Sequence, residues 1–314
     1  MSVVERDDDM VVEPPEGQYR TIEPFRFLDT SGSENCVLIL LNQSFAKMNL
    51  IRFWNATELH ICADGGANRL YDFFGDSTRD NYIPEFITGD FDSIRDEVKE
   101  YYASKGSRII EQSTQYATDF MKAVTIAQIW YGLEELKQTL LNSSNTIDSH
   151  DGLVRLVEQI CESKNDQSIL PVHLYILSAL GGRFDQTIHS ISQLYKLNET
   201  DLHLRLLFIT EYDVVFVLSR GVNFISYKSK SVFSSSLVPT CGLLPLGSSQ
   251  VTINSYGLKY DVYDWESSMT TQVSSSNGLS GTKGVVVRIL DPLVMNIEID
   301  SSRVTEENSS ETKV

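Results

Sequence analysis

Between residues 31 and 212, short and nearly continuous apolar runs alternate with stretches in which apolar residues recur every three to four positions. The runs are "NCVLILLN", "ELHICADGG", "PEFITGD", "SRIIEQ", "PVHLYILSALGG" and "LRLLFIT". Unbroken apolar runs of this length suit strands buried on both faces. The stretches between them, "ANRLYDFFG", "SIRDEVKEYYASKG", "TDFMKAVTIAQIWYGLEELKQTLL" and "DQTIHSISQLYKL", carry helical spacing. The alternation predicts an α/β domain over 31–212, with a mainly parallel sheet and helices on both faces. Ligands of such sheets sit beyond the carboxyl ends of the strands. The Ser/Asn/Asp-rich stretch at 141–168 interrupts the plan and reads as a surface insertion ending in a short amphipathic helix, "GLVRLVEQICES". From residue 213 strand-like runs are broken by Gly, Ser and Asn without long helices, which predicts an all-β sandwich over 213–300. Residues 1–30 read as an acidic flexible arm, in which "YRTIEPFRFL" has the composition to pack locally. Residues 301–314 read as a polar, disordered tail.

Charge narrows the partners. Lys and Arg number 26 against 43 Asp and Glu, a net charge of −17 in 314 residues. Nucleic acids and anionic membranes need basic patches and are disfavoured, whereas a nucleotide is acceptable if divalent cations offset the repulsion. No apolar run approaches the roughly 20 residues that span a bilayer. The start "MSVVERDDDMVVEPPEG" is acidic, the opposite of a signal or transit peptide. Cys36, Cys62, Cys161 and Cys241 show neither CxxC nor zinc spacing, so the expectation is a reduced, cytoplasmic protein.

Four acidic signals fall at equivalent places in the α/β half. Asp64 ends an apolar run and precedes Gly65-Gly66; Asp90 and Asp92 follow "PEFIT"; Asp119 opens a helix; Asp185 follows "LYILSALGGRF". In a parallel sheet these rims face one way and their carboxylates can converge. Each alone is explained by N-capping or turn chemistry. The i, i+2 pair in "GDFDS" is more specific, because oxygen ligands so spaced suit a hard cation such as Mg²⁺. The glycine-rich junctions "DGGAN" and "GGRFDQ" present backbone N–H groups to an anion, the second beside Arg183. There is no Walker loop, dinucleotide fingerprint, HExxH or nucleophile elbow. Metal- and phosphate-centred chemistry remains. In the β half, Tyr260 and Trp265 are able to stack on a flat cation, and Ser276 and Asn277 to hydrogen-bond a heterocycle; β-core aromatics and a hairpin turn explain the same residues.

Taken in order, "ADGGANRLYDF", "PEFITGDFDS", "QYATDF", "LGGRFDQ", "CGLLPLG", "GLKYDV" and "SSSNG" resemble the eukaryotic, fungal-type thiamin pyrophosphokinases over roughly residues 30–300. The resemblance implies an α/β domain, a β-sandwich and a homodimer with its site at the subunit interface. It implies transfer of the pyrophosphoryl group of MgATP to the thiamin hydroxyl, giving thiamin diphosphate and AMP, with Mg²⁺ as cofactor and ATP as co-substrate. Carried over by position, Asp90, Asp92 and Asp119 are the metal set, and Asp64, Asp92 and Asp119 the catalytic carboxylates. Gly65, Gly66, Gln115, Thr118, Lys122, Arg183, Asp185 and Gln186 contact the nucleotide. Tyr260, Trp265, Ser276 and Asn277 bind thiamin. Tyr260 stands where animal relatives have tryptophan, so either it or Trp265 is the stacking residue. The alternatives are another Mg²⁺-dependent nucleotide transferase built on the D-x-D pair, and a non-catalytic thiamin or nucleotide sensor.

Overall fold

The apolar runs of the first half form parallel strands. They are β3 (Cys36–Leu40), β4 (Leu59–Ala63), β5 (Phe86–Gly89), β6 (Arg108–Glu111), β7 (Val172–Leu177) and β8 (Leu204–Ile209). Their order is β8-β7-β3-β4-β5-β6. The computed structural model describes residues 2–28, 34–45, 47–142, 151–163, 171–201 and 203–304.

Along β3 the residues alternate between two cores. Leu38 and Leu40 face one apolar cluster, Val37 and Ile39 the other. A strand covered on both sides gains from every position being apolar, which is why these runs lack a period of two. The helices α1 (Leu50–Asn55), α2 (Gly66–Phe73), α3 (Asp96–Ser104), α4 (Asp119–Gly132), α5 (Glu134–Asn142), α6 (Gly152–Ser163) and α7 (Phe184–Thr200) connect the strands. Helix α4 is apolar nearly all round because the sheet covers one side of it while α5 and α6 lie against it. The amphipathic helix expected inside the insertion is α6; residues 143–150 and 164–170 of that insertion lie outside the described residues.

The second half supplies β9 (Asp213–Leu218), β10 (Gly221–Ser226), β11 (Thr240–Leu244), β12 (Val251–Tyr256), β13 (Tyr260–Tyr263), β14 (Trp265–Ser267), β15 (Ser274–Gly278), β16 (Gly284–Ile289) and β17 (Leu293–Glu298). Strand β9 turns back on β8 antiparallel, pairing Phe208 with Val215. The sheet then continues as β17, β11 and β15, making ten strands in all. The second layer is β14-β12-β16-β10-β2, where β2 is Arg20–Ile22. Phe216, Leu218 and Met295 from one layer share a core with Ile253, Val285 and Val287 from the other. The sandwich therefore uses the far end of the α/β sheet as one of its layers.

Two expectations change at the ends of the chain. The acidic arm carries two strands: β2, and β1 (Ser2–Glu5), which pairs antiparallel with β13. Its charges explain this: Lys259 reaches Glu5 and Asp8, Lys230 reaches Asp9, and Arg6 reaches the buried Asp261. At the other end, residues 301–304 form one helical turn, α8, whose Val304 is buried and accepts from the Asn49 N–H. Residues 305–314 of the expected disordered tail lie outside the described residues.

Candidate active site

The order β8-β7-β3-β4 reverses direction at β3, so the crevice opens at the carboxyl ends of β3 and β7. Asp64 directly follows β4, Asp90 directly follows β5, and Asp119 is the first residue of α4, beyond β6. Oxygens of these three carboxylates lie within 4.8 Å of one another. Asp92 does not join them. It is exposed and accepts the Ser93 hydroxyl at 2.7 Å, while Asp64 is the third member of the cluster. Phe91 between the two aspartates adopts φ of +63°, so the segment turns there, and the Asp92 N–H lies 3.4 Å from Asp90 Oδ1.

Asp64 is held on several sides. Its N–H donates to Thr88 O at 2.8 Å. Its carboxylate accepts from the Ser93 N–H at 3.2 Å and the Ile94 N–H at 3.1 Å, which fixes the turn before α3. Its own φ of +43° is a left-handed value that an aspartate tolerates better than most residues. Burial, then the neighbouring Asp119 charge, raise its carboxyl above the usual range. Asp119 is raised as well, by burial first, although Lys122 one helical turn later opposes this from 3.2 Å. Asp90 is lowered, chiefly by the Gln115 amide donating at 2.9 Å. Lys122 is almost fully buried, so a cation lies under this rim. A Cβ on Gly89 would come within 2.6 Å of Asp64 Cβ and 3.3 Å of Asp119 Oδ1. Only glycine lets β5 end between these two carboxylates.

The remaining α/β candidates divide. Gly65 and Gly66 begin α2, and a Cβ on Gly66 would collide with the Leu40 carbonyl at the end of β3, so this glycine is required by close approach. Thr118 is the N-cap of α4, its hydroxyl accepting from Met121 N at 3.3 Å. Gln115 reaches Asp90. Arg183, Asp185 and Gln186 are exposed at the start of α7, where Arg183 and Asp185 pair with each other rather than with the carboxylate cluster. Gln43 was not anticipated from the sequence. Its amide donates to Gly181 O at 2.8 Å, and Gly182, at φ of +63°, sits against the same side chain. Asn68 was also missed. It clamps the turn before α3 by donating to Ser93 O and accepting from Arg95 N. The polar "NQS" directly after the β3 run was the available signal for Gln43, since it occupies the same kind of rim as Asp64.

In the β half, Tyr260, Val262, Trp265, Ser276 and Asn277 line an open cavity of about 290 Å³ together with Val3 of β1. Tyr260 and Ser276 are exposed, while Trp265 is largely buried. Asn277 is different. Its amide accepts from Tyr260 N at 2.9 Å and Gly278 N at 2.8 Å, and donates to Tyr260 O at 2.8 Å. A side chain so occupied holds the Tyr260 backbone in place. The cavity includes none of the three clustered carboxylates among its lining residues.

The sequence matches the family model "Thiamin pyrophosphokinase, catalytic domain" over residues 50–206 and "Thiamin pyrophosphokinase, vitamin B1 binding domain" over residues 230–294. The thiamine pyrophosphokinase of Saccharomyces cerevisiae is 36% identical over 276 residues, covering 85% of this chain and 86% of its own. The chain belongs to the thiamin pyrophosphokinase family. The solved thiamin pyrophosphokinase from Candida albicans superposes with a TM-score of 0.85 at 45% identity, covering 95% of this chain and 98% of its own. The yeast structure gives 0.84 at 30% identity, covering 96% and 98%. The clustered carboxylates and the Gln43-held glycine loop belong to the half matched by this family's catalytic domain model. Tyr260, Trp265, Ser276 and Asn277 fall in its vitamin B1 binding domain. Membership in this family disfavours the alternative of another Mg²⁺-dependent nucleotide transferase.

Proposed function

We propose that this chain transfers the pyrophosphoryl group of MgATP to thiamin at the Asp64–Asp90–Asp119 rim, with thiamin entering from the Tyr260 cavity. The activity itself, thiamin plus ATP giving thiamin diphosphate and AMP, follows from family membership. The single observation that carries the assignment of residues is the convergence of three carboxylates from three separate strand ends to within 4.8 Å. A set of hard oxygen donors, with the buried Lys122 touching only one of them, fits a divalent ion better than mutual repulsion would allow without one.

Asp64, Asp90 and Asp119 would hold Mg²⁺, which supplies charge neutralisation at the phosphates when bound. Asp64 has both oxygens engaged by the Ser93 and Ile94 amides, so its part is to fix that turn and offer its remaining lone pairs. Burial raises the proton affinity of both Asp64 and Asp119, but each oxygen of Asp64 already accepts a backbone amide, so we assign Asp119, which accepts from Lys122 at 3.2 Å, as the acceptor for the thiamin hydroxyl proton as the β-phosphorus is attacked. Gln115 orients Asp90. Gln43 and Thr187 hold the Gly181–Gly182 loop, the Gly181 N–H donating to the Thr187 hydroxyl, and the nearby Arg183 is placed to cradle phosphate once it leaves Asp185. Because the cavity and the carboxylates are lined by different residues, we take the site to be completed across a homodimer, the Tyr260 wall of one protomer facing the carboxylate rim of its partner. We place the protein in the cytoplasm. Supporting this, Cys62 and Cys241 are buried thiols without a disulfide, as a reducing compartment keeps them.

The test is Asp119→Asn and Asp90→Asn, each assayed for AMP formation with thiamin, ATP and Mg²⁺. Both should lower kcat by about 10²-fold or more, with melting temperature within a few degrees of wild type. Activity within threefold of wild type in either variant removes that residue from the reaction.

A further inference from the structure

The acidic N-terminal arm is laid onto the domain that carries the Tyr260 cavity. Strand β1 pairs with β13 over its whole length, placing Val3 opposite Val262 and Glu5 opposite Tyr260. Directly opposed residues of an antiparallel pair share a face, so Val3 stands on the face that presents Val262 and Tyr260. Val3 is accordingly part of the cavity lining, yet 57% of it remains exposed. An apolar side chain left in water beside an aromatic wall suits a contact made only when a ligand is present.

The strand is also anchored more firmly than its length requires. Arg6 Nε donates to Asp261 at 2.7 Å, and that fully buried carboxylate also accepts from the N–H groups of Gly257 and Leu258, both at 3.0 Å. Lys259 Nζ donates to Arg6 O and to Asp8, each at 2.9 Å, and lies 3.4 Å from Glu5. Further along, Lys230 reaches Asp8 O and Asp9, and Met10 donates its N–H to Ser280 O and accepts from the Thr282 N–H, both in the segment after β15. The turn that presents Tyr260 and the arm that presents Val3 therefore form one hydrogen-bonded unit.

We propose that β1 is a wall of the thiamin subsite and that Val3 is a specificity-determining contact for the flat, cationic vitamin. This rests on the assignment of the Tyr260 cavity to thiamin. Val3 closes the β13 side of the cavity with an uncharged, apolar surface, against which a heterocycle packs while Tyr260 and Trp265 supply the aromatic side.

The experiment compares full-length Val3→Ala, Val3→Lys and Tyr260→Ala with wild type, measuring KM for thiamin and for ATP separately and checking folding by thermal melting. Val3→Ala should raise the thiamin KM about threefold through lost apolar contact. Val3→Lys should raise it about tenfold or more, since a like charge faces the cationic ring. The ATP KM should stay within twofold in both. If Tyr260→Ala raises the thiamin KM while both Val3 variants leave it within twofold, the β1 wall is overturned and the thiamin assignment stands. If all three leave it unchanged, the cavity assignment falls and the wall with it. A parallel rise in the ATP KM in the Val3 variants also overturns the proposal, because it signals general damage.

Discussion

His173 shows how one buried side chain couples this fold to pH. It lies on β7 beside Arg205 of β8, 7% exposed, with its Nε2 3.3 Å from Arg26 Nη1. Burial, with the Arg26 and Arg205 charges, lowers its pKa to about 4 from the ordinary 6.5. The unfolded chain therefore binds a proton between those values that the folded chain does not. Stability from this group is fully present above pH 6.5 and is lost as pH falls towards 4. His173→Gln keeps an acceptor for Arg26 and removes the titration. Between pH 7 and pH 4.5, wild type should lose about 2 kcal/mol more unfolding free energy than the variant, read by urea denaturation at the two pH values. Equal losses would mean that His173 is protonated in the folded state. At this same scale the site was only partly legible. Asp64 and Asp90 were readable as neighbours because each ends or follows an apolar run, and Asp119 because it opens the helix after the next strand; parallel strands bring such rims together. Asp92 was assigned to the metal from its i, i+2 spacing and from the resemblance; it stands outside the three-carboxylate cluster, on a turn whose left-handed Phe91 the spacing does not reveal. Asn277, read as a ligand contact, does line the cavity, and its amide also holds the Tyr260 backbone, a second role that spacing does not tell because it depends on where β13 lies.

Among the elements, the insertion has a structural connection that its composition concealed. Leu153 N at the start of α6 donates to Gln112 Oε1 at 2.9 Å, and Gln112 donates to Thr88 on β5 at 2.8 Å. Tyr116 donates to Glu158 of α6 at 2.7 Å, and Lys196 of α7 reaches the same carboxylate at 3.2 Å. Tyr116 is the neighbour of Gln115, which holds Asp90, so α6 braces the loop beside the carboxylates. Glu158→Ala should raise the ATP KM about threefold, the scale of a half-exposed charged hydrogen bond, and leave the thiamin KM unchanged in steady-state assays. An unchanged ATP KM would make α6 an appendage without influence on the site. The six parallel strands and their helices were legible because burial on both faces imposes a composition. Strand β1 was not, since "SVVE" is too short to show a period and its partner is some 255 residues away.

For the whole molecule, the chain was divided near residue 213 because its texture changes there, yet the sheet runs through that point from β8 into β9. Texture reports which faces are buried, and burial changes where helices give way to a second sheet, whether or not the first sheet ends. The continuous sheet joins the strands that end at the carboxylate rim to β15, which carries Ser276 and Asn277 of the Tyr260 cavity. The net charge of −17 suits a cationic vitamin, and a divalent ion would offset its repulsion of the nucleotide. All of these lead to one reaction. The most direct measurement incubates the purified full-length protein with thiamin, ATP and Mg²⁺ and identifies the products by mass. Thiamin diphosphate and AMP should appear in equal amounts, with none formed when EDTA removes the metal. Thiamin monophosphate with ADP, or undiminished turnover in EDTA, would contradict pyrophosphoryl transfer at a metal-holding carboxylate rim.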